Sequence, residues 1–190
     1  MLEDSPWARQ IRVPLPGQHP GEGHVSQQQV YTLRLFSAYP VQAAYLRLLQ
    51  LSRGYADLTR EEQAAFDRQH PVIVGERRGQ IVISLDFDAT DRETALEIDR
   101  RLEQFSTPEM KRISFLSSST FDRVELEHYS PPSPDGTGAK FVFPRKVDGV
   151  DIVSTDGSML RFEFTMPGTD HRIVQTWDIT ELSFRGSLTF

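Results

Sequence analysis

The 190-residue chain predicts an α+β fold: mainly antiparallel sheet of about eight strands, about three helices packed on one face, and a β-rich C-terminal half. Three features carry that expectation. Apolar and polar residues alternate over short stretches through most of the second half, the pattern of strands with one wet face rather than strands buried on both. Three segments between residues 40 and 105 carry helix signals, two of them with apolar residues on one helical face. Clusters of glycine, proline and aspartate separate the segments at distances that suit hairpins and short connections.

Residues 1–29 read as a flexible Pro/Gly/Gln-rich N-terminal arm, with Pro14, Pro16, Gly17, Pro20, Gly21 and Gly23 leading into Gln27-Gln28-Gln29. Pro6-Trp7 and the alternating Ile11 and Val13 are the part of that arm suited to dock on the rest. Residues 30–190 then form a single α+β domain. Val30–Phe36 has strand composition, and Pro40 suits the first turn of a helix. Val41, Ala44, Tyr45 and Leu48 form its apolar stripe, and Gly54 ends it. Thr59-x-x-Glu62 is a capping box opening a second helix that runs to about His70, before Pro71.

Val72–Val74, the glycine-flanked turn Gly75–Gly79 and the stretch from Ile81 onward predict a hairpin. Thr90-x-x-Glu93 is a second capping box, opening a helix over 91–105 whose buried face holds Ala95, Leu96, Ile98, Leu102 and Phe105. Thr107-Pro108 suits one further helical turn. Strand-like stretches follow at Ile113–Leu116, Val124–His128, Lys140–Phe143, Val150–Val153, Leu160–Phe164 and Ile173–Ile179. Asp156-Gly157 supplies a two-residue hairpin turn. Leu182, Phe184, Leu188 and Phe190 share one parity, which predicts a half-buried strand running to the final residue.

Composition narrows the function classes. Hydrophobic residues are 38% and charged residues 25%, which excludes overall disorder. A net charge of −6 and a pI near 5.4 argue against nucleic acid as a partner; the basic pairs Arg77-Arg78 and Arg100-Arg101 are solvated turn or helix positions. The absence of cysteine removes disulfides, thiolate metal sites and cysteine nucleophiles. No stretch reaches the roughly 20 apolar residues of a membrane span. The expectation is a soluble chain, either cytoplasmic or an exported mature form lacking its signal peptide.

The chemical hint lies in Ile81–Thr90, where an apolar run ends in Asp86-x-Asp88-x-Thr90. This D-x-D-x-T resembles the nucleophile loop of the haloacid-dehalogenase-type phosphotransferases. The resemblance implies catalytic roles for Asp86, as nucleophile, and Asp88, as acid/base on the leaving oxygen. It covers about ten residues, and Asp91 stands where that family usually has an aliphatic residue. The residues themselves say something plainer. Ile81, Ile83, Leu85 and Phe87 alternate with Val82, Ser84, Asp86 and Asp88, which describes a strand with a wet face leading to a helix cap. Asp86, Asp88, Thr90 and Glu97 also match four positions of an EF-hand loop, but the obligatory turn position is Asp91 instead of glycine. A divalent cation held by Asp86, Asp88 and Asp91 is the metal reading; no other cofactor is expected.

Elsewhere, Glu125 and Glu127 share one strand face, and His128 would face with Leu126. His171 and His128 converge with a carboxylate only if the sheet brings them together. Ser117-Ser118-Ser119 lacks nucleophile-elbow glycines, and Pro131-Pro-Ser-Pro134 suits a stiff connector. Tyr31, Tyr45, Phe115, Phe141 and Trp177 would either line an apolar cavity between layers or form plain core. The reading that follows is a non-enzymatic binding or interaction module for a protein or a small apolar ligand. The alternative is a divalent-cation-dependent enzyme or phosphatase-like site centred on Asp86 and Asp88.

Overall fold

The computed structural model describes residues 5–14, 28–70, 79–89, 91–132, 137–154, 159–169, 171–184 and 187–188. Two antiparallel sheets face each other across one core. The first has five strands: β1 (Ala8–Pro14), β2 (Gln28–Leu35), β3 (Gln80–Ala89), β6 (His128–Ser130) and β7 (Ala139–Pro144), in the order β1-β2-β3-β7-β6. The second has four: β4 (Ser114–Ser118), β5 (Val124–Glu125), β10 (Met159–Thr165) and β11 (Arg172–Asp178), in the order β11-β10-β4-β5. The C-terminal strands therefore divide between the sheets, a choice that alternation within a strand does not encode.

Register explains the shared core. Tyr31, Leu33 and Leu35 of β2 lie opposite Phe87, Leu85 and Ile83 of β3. Ile83 and Ile81 in turn lie opposite Phe141 and Phe143 of β7. In the second sheet Leu160 and Phe164 of β10 face Trp177 and Ile173 of β11, and Phe162 faces Leu116 of β4. Each strand's apolar parity thus falls on one side, because residues directly opposite share a face. The two inner faces meet through aromatic rings. Phe141 sits 5.2 Å from Phe162 and 5.1 Å from Phe164, and Phe143 lies 6.1 Å from Phe162. All four are fully buried. Gly138, at φ +70°, enters β7 where a Cβ would fall 2.1 Å from the Leu85 carbonyl oxygen, so only glycine lets the chain pass β3 this closely.

Among the described residues four helices complete the α+β fold: α1 (Tyr39–Ser52), α2 (Arg60–Gln69), α3 (Arg92–Gln104) and α4 (Thr107–Ile113). The fourth is the extra turn that Thr107-Pro108 suggested. Ser106 opens it by donating from its backbone N–H and its hydroxyl to Glu109 at 2.8 and 2.6 Å. Ile98 and Leu102 of α3 and Met110 of α4 enter the main core. The Tyr129 hydroxyl donates to the Leu102 carbonyl at 2.9 Å, tying β6 to α3. α1 reaches the same core through Ala38 and Val41 at its start.

Several local expectations change. Residues 8–14 pair with β2 along their whole length, so this part of the N-terminal region is an edge strand, with Trp7, Ile11 and Val13 packed on the core. α3 is capped by Asp91, not Thr90: its carboxylate accepts from the Glu93 and Thr94 backbone N–H groups at 3.4 and 3.0 Å and from the Thr94 hydroxyl at 2.7 Å. Thr90 itself, Val72–Val74 with most of its turn, and Asp156-Gly157 lie outside the described residues. A different Asp-Gly pair forms a tight hairpin, Asp148-Gly149 between β8 (Lys146–Val147) and β9 (Val150–Asp151). Both turn residues have positive φ, 50° and 81°, as a twist-matched two-residue turn requires.

The strand expected to run to the final residue is also corrected. A 3₁₀ turn over Ile179–Leu182 leads to β12 (Ser183–Phe184), which pairs back on β13 (Ser187–Leu188). The antiparallel pairing of Ser183 with Leu188 and of Phe184 with Ser187 replaces the single strand, while Gly186 and Phe190 of the expected row lie outside the described residues.

Candidate interaction surface

The acidic residues of β3 do separate things. Asp86 lies 3.5 Å from the Arg34 guanidinium on the neighbouring strand, and its other oxygen accepts from the Phe87 backbone N–H at 3.1 Å. Asp88 is exposed and accepts from the Ala89 N–H at 2.8 Å. Both share the face of β3 opposite the core. Asp91 uses both carboxylate oxygens to cap α3, and the Thr94 hydroxyl, with the backbone N–H groups behind it, holds its carboxyl below the usual range. Glu97 pairs with Arg101 one helical turn on. Burial, with the like charges of Asp86 and Glu103 nearby, raises Asp99 instead. Among the described residues no group of three histidine or acidic side chains comes together.

The described histidines, His70, His128 and His171, join no such group either. Between Glu125 and His128 the chain crosses from the second sheet to the first, with Glu127 N–H donating to the Val142 carbonyl at 2.8 Å. That crossing breaks the parity, so His128 is exposed while Leu126 is buried. His171 keeps a buried Nδ1 in the turn between β10 and β11, with no hydrogen-bond partner among the described residues. His70 packs its ring 4.6 Å from Phe66.

The aromatic residues proposed for a cavity divide in a telling way. Tyr31, Phe141 and Trp177 are core. Burial pushes the Tyr31 hydroxyl up to about 12, and it donates to Gln29 at 2.8 Å. Phe115 lies on the outer face of the second sheet with the Arg123 guanidinium 4.6 Å above its ring. Tyr45 meets Phe36 edge-on at 5.6 Å. The rings of Phe141, Phe143, Phe162 and Phe164 fill the space between the sheets where they meet.

Among the described residues the two most exposed large apolar side chains are both on α1. Val41 and Gln42 are its only buried residues, held at the base where the Gln42 amide donates to the Ser37 carbonyl at 2.9 Å. The apolar stripe continues outward, but Leu48 is 65% exposed and Leu51 62% exposed. One turn apart on the helix, these two leucines share a face. Leu48 belongs to the apolar stripe that the helical spacing predicts, yet most of it is exposed.

The rest of this helical arm is braced by its own small cluster. After α1 the chain turns at Gly54, φ +60°, into a 3₁₀ turn over Tyr55–Asp57. Tyr55 and Phe66 of α2 meet edge-on at 5.2 Å, and the Tyr55 hydroxyl donates to Asp67 at 3.0 Å. The Gln63 amide donates to the Tyr55 carbonyl at 2.9 Å. Thr59 and Glu62 form the capping box expected of them, with the Thr59 N–H reaching the Glu62 carboxylate at 2.8 Å. Phe66 is buried yet lies outside the main core cluster. The 3₁₀ turn and α2 thus share a satellite core of their own, next in the chain to the helix that carries Leu48 and Leu51. Arg47 and Arg53 flank the leucines in sequence, both exposed, and neither forms an ion pair among the described residues. No helix among the described residues is long and apolar enough to cross a membrane. No family model, curated protein or solved structure matches the chain.

Proposed function

We propose that the chain is a non-enzymatic interaction module that docks another protein on the outer half of α1. The observation that carries this reading is the pair Leu48 and Leu51, each more than three-fifths exposed on one face of a helix whose base is anchored in the core. Apolar pairs at this spacing suit an amphipathic segment laid against them. Arg47 and Arg53, without an ion-pair partner among the described residues, add positive charge beside an apolar strip on a chain whose net charge is −6. An apolar segment flanked by acidic residues is therefore the partner that fits, and a second acidic copy fits less well.

The test uses the full chain as bait, against Leu48→Glu/Leu51→Glu with circular dichroism as the folding control. A partner retained by the native chain is purified and titrated against both forms. Binding that weakens at least about tenfold in the double variant supports the reading. Equal binding by both forms contradicts it.

A further inference from the structure

β11 is the far edge of the second sheet, and among the described residues no strand pairs with its outer side. Two hydrogen bonds show which backbone groups point outward. The Met166 N–H donates to the His171 carbonyl at 2.9 Å, so His171 and the alternate residues Ile173, Gln175 and Trp177 turn their backbone toward β10. The Gln175 amide side chain reaches the Thr176 carbonyl at 2.6 Å, which places that carbonyl on the open side. Arg172, Val174, Thr176 and Asp178 therefore aim their N–H and C=O groups away from the sheet.

The other sheet edges carry the usual protections. β1 has Arg9 and Arg12 and ends in Pro14, while β5 and β6 are two and three residues long. β11 has seven residues with no proline, glycine or lysine. Its only charges sit at its ends and differ in sign. Antiparallel pairing of Arg172–Asp178 with itself, centred on Gln175, sets Arg172 opposite Asp178 of a second copy, twice. It sets Val174 opposite Thr176, a β-branched pair, and Ile173 opposite Trp177 on the inner face. The outward backbone groups of Val174 and Thr176 then fall in hydrogen-bonded register. Asp178 accepts from the Thr180 N–H at 2.9 Å and hydroxyl at 2.7 Å on one oxygen, and its other oxygen has no hydrogen-bond partner among the described residues. Arg172 meets Glu163 through a single nitrogen.

We propose that β11 pairs antiparallel with β11 of a second copy of this chain, joining the two four-stranded sheets into one across a two-fold axis. This surface is separate from α1 and does not rest on the reading of Leu48 and Leu51.

The full chain is measured by analytical ultracentrifugation over a concentration series, with circular dichroism confirming the fold of each variant. The native chain is a dimer, and so is Leu48→Glu/Leu51→Glu. Thr176→Pro removes an outward N–H without touching a bond to β10, and is a monomer. Arg172→Glu and Asp178→Lys each set like charges opposite one another in the homodimer, weakening it about tenfold or more. Mixing these two variants in equal amounts restores a dimer, because the heterodimer keeps opposite charges at both ends. A native chain that stays monomeric overturns the proposal. So does a dimer that survives Thr176→Pro, or a mixture that is no more associated than its components.

Discussion

Phe141 of the first sheet and Phe162 of the second meet with ring centroids 5.2 Å apart and planes inclined by 62°. This contact, with Phe143 and Phe164 beside it, joins two sheets that the chain visits in alternation. Replacing Phe162 by alanine removes a fully buried ring from the middle of that junction, and is expected to cost about 3–5 kcal/mol. Phe115→Ala, on the outer face beneath Arg123, should cost less than half of that. Urea denaturation of both variants measures the difference, and similar losses would mean that the sheets are not joined there.

Gly138 gives a sharper backbone test. Its φ of +70° and the 2.1 Å that would separate a Cβ from the Leu85 carbonyl leave no place for a side chain. Gly138→Ala should destabilise the fold by about 3 kcal/mol or more, beyond the ordinary range for a surface loop. Gly79→Ala, where a Cβ meets open space, should stay within about 0.5 kcal/mol of the native chain.

Asp99 supplies a pH signature. Burial, then the charges of Asp86 and Glu103, raise its folded pKa above the unfolded value, so the folded state holds the proton more tightly. Its contribution to stability is complete below about pH 3.9 and is lost as pH rises through the raised pKa. Asp99→Asn escapes that loss. The variant should therefore be more stable than the native chain at pH 7, by well under about 1 kcal/mol after solvent screening, with the gain vanishing near pH 3. Denaturant midpoints at the two pH values decide it; a gain that persists at pH 3 would assign the effect to something other than ionisation.

The acidic end of β3 predicts a negative result with a clear alternative. Asp91 is committed to the α3 cap, and Asp86 has Arg34 beside it. Calcium, magnesium or zinc should leave the melting temperature where EDTA leaves it. A saturable rise with any of them, abolished by Asp88→Asn, would restore the cation reading of Asp86, Asp88 and Asp91.

Much of the fold is legible in local pattern. The parity of Ile81, Ile83, Leu85 and Phe87 and that of Leu160, Phe162 and Phe164 correctly mark which side of each strand is buried, because a period of two leaves no other choice. Thr59 and Glu62 mark the start of α2 for the same local reason. Partition into two sheets is not legible, since the pairing of β3 with β7 and of β10 with β4 depends on contacts far apart in sequence. Parity also fails where the chain changes sheet, as at Glu127. The candidate surface was half visible. Leu48 belongs to the apolar stripe of α1, but its exposure depends on what packs against the helix, which the helix's own spacing does not contain.

The central claim is that the outer face of α1 holds a partner. A photo-reactive residue at position 48, compared with one at position 112 on the exposed side of α4, tests it within the folded chain. A specific cross-linked partner is expected from position 48, lost when Leu51→Glu is added, and none from position 112. Adducts formed equally from both positions, or formed at position 48 regardless of Leu51, would contradict it.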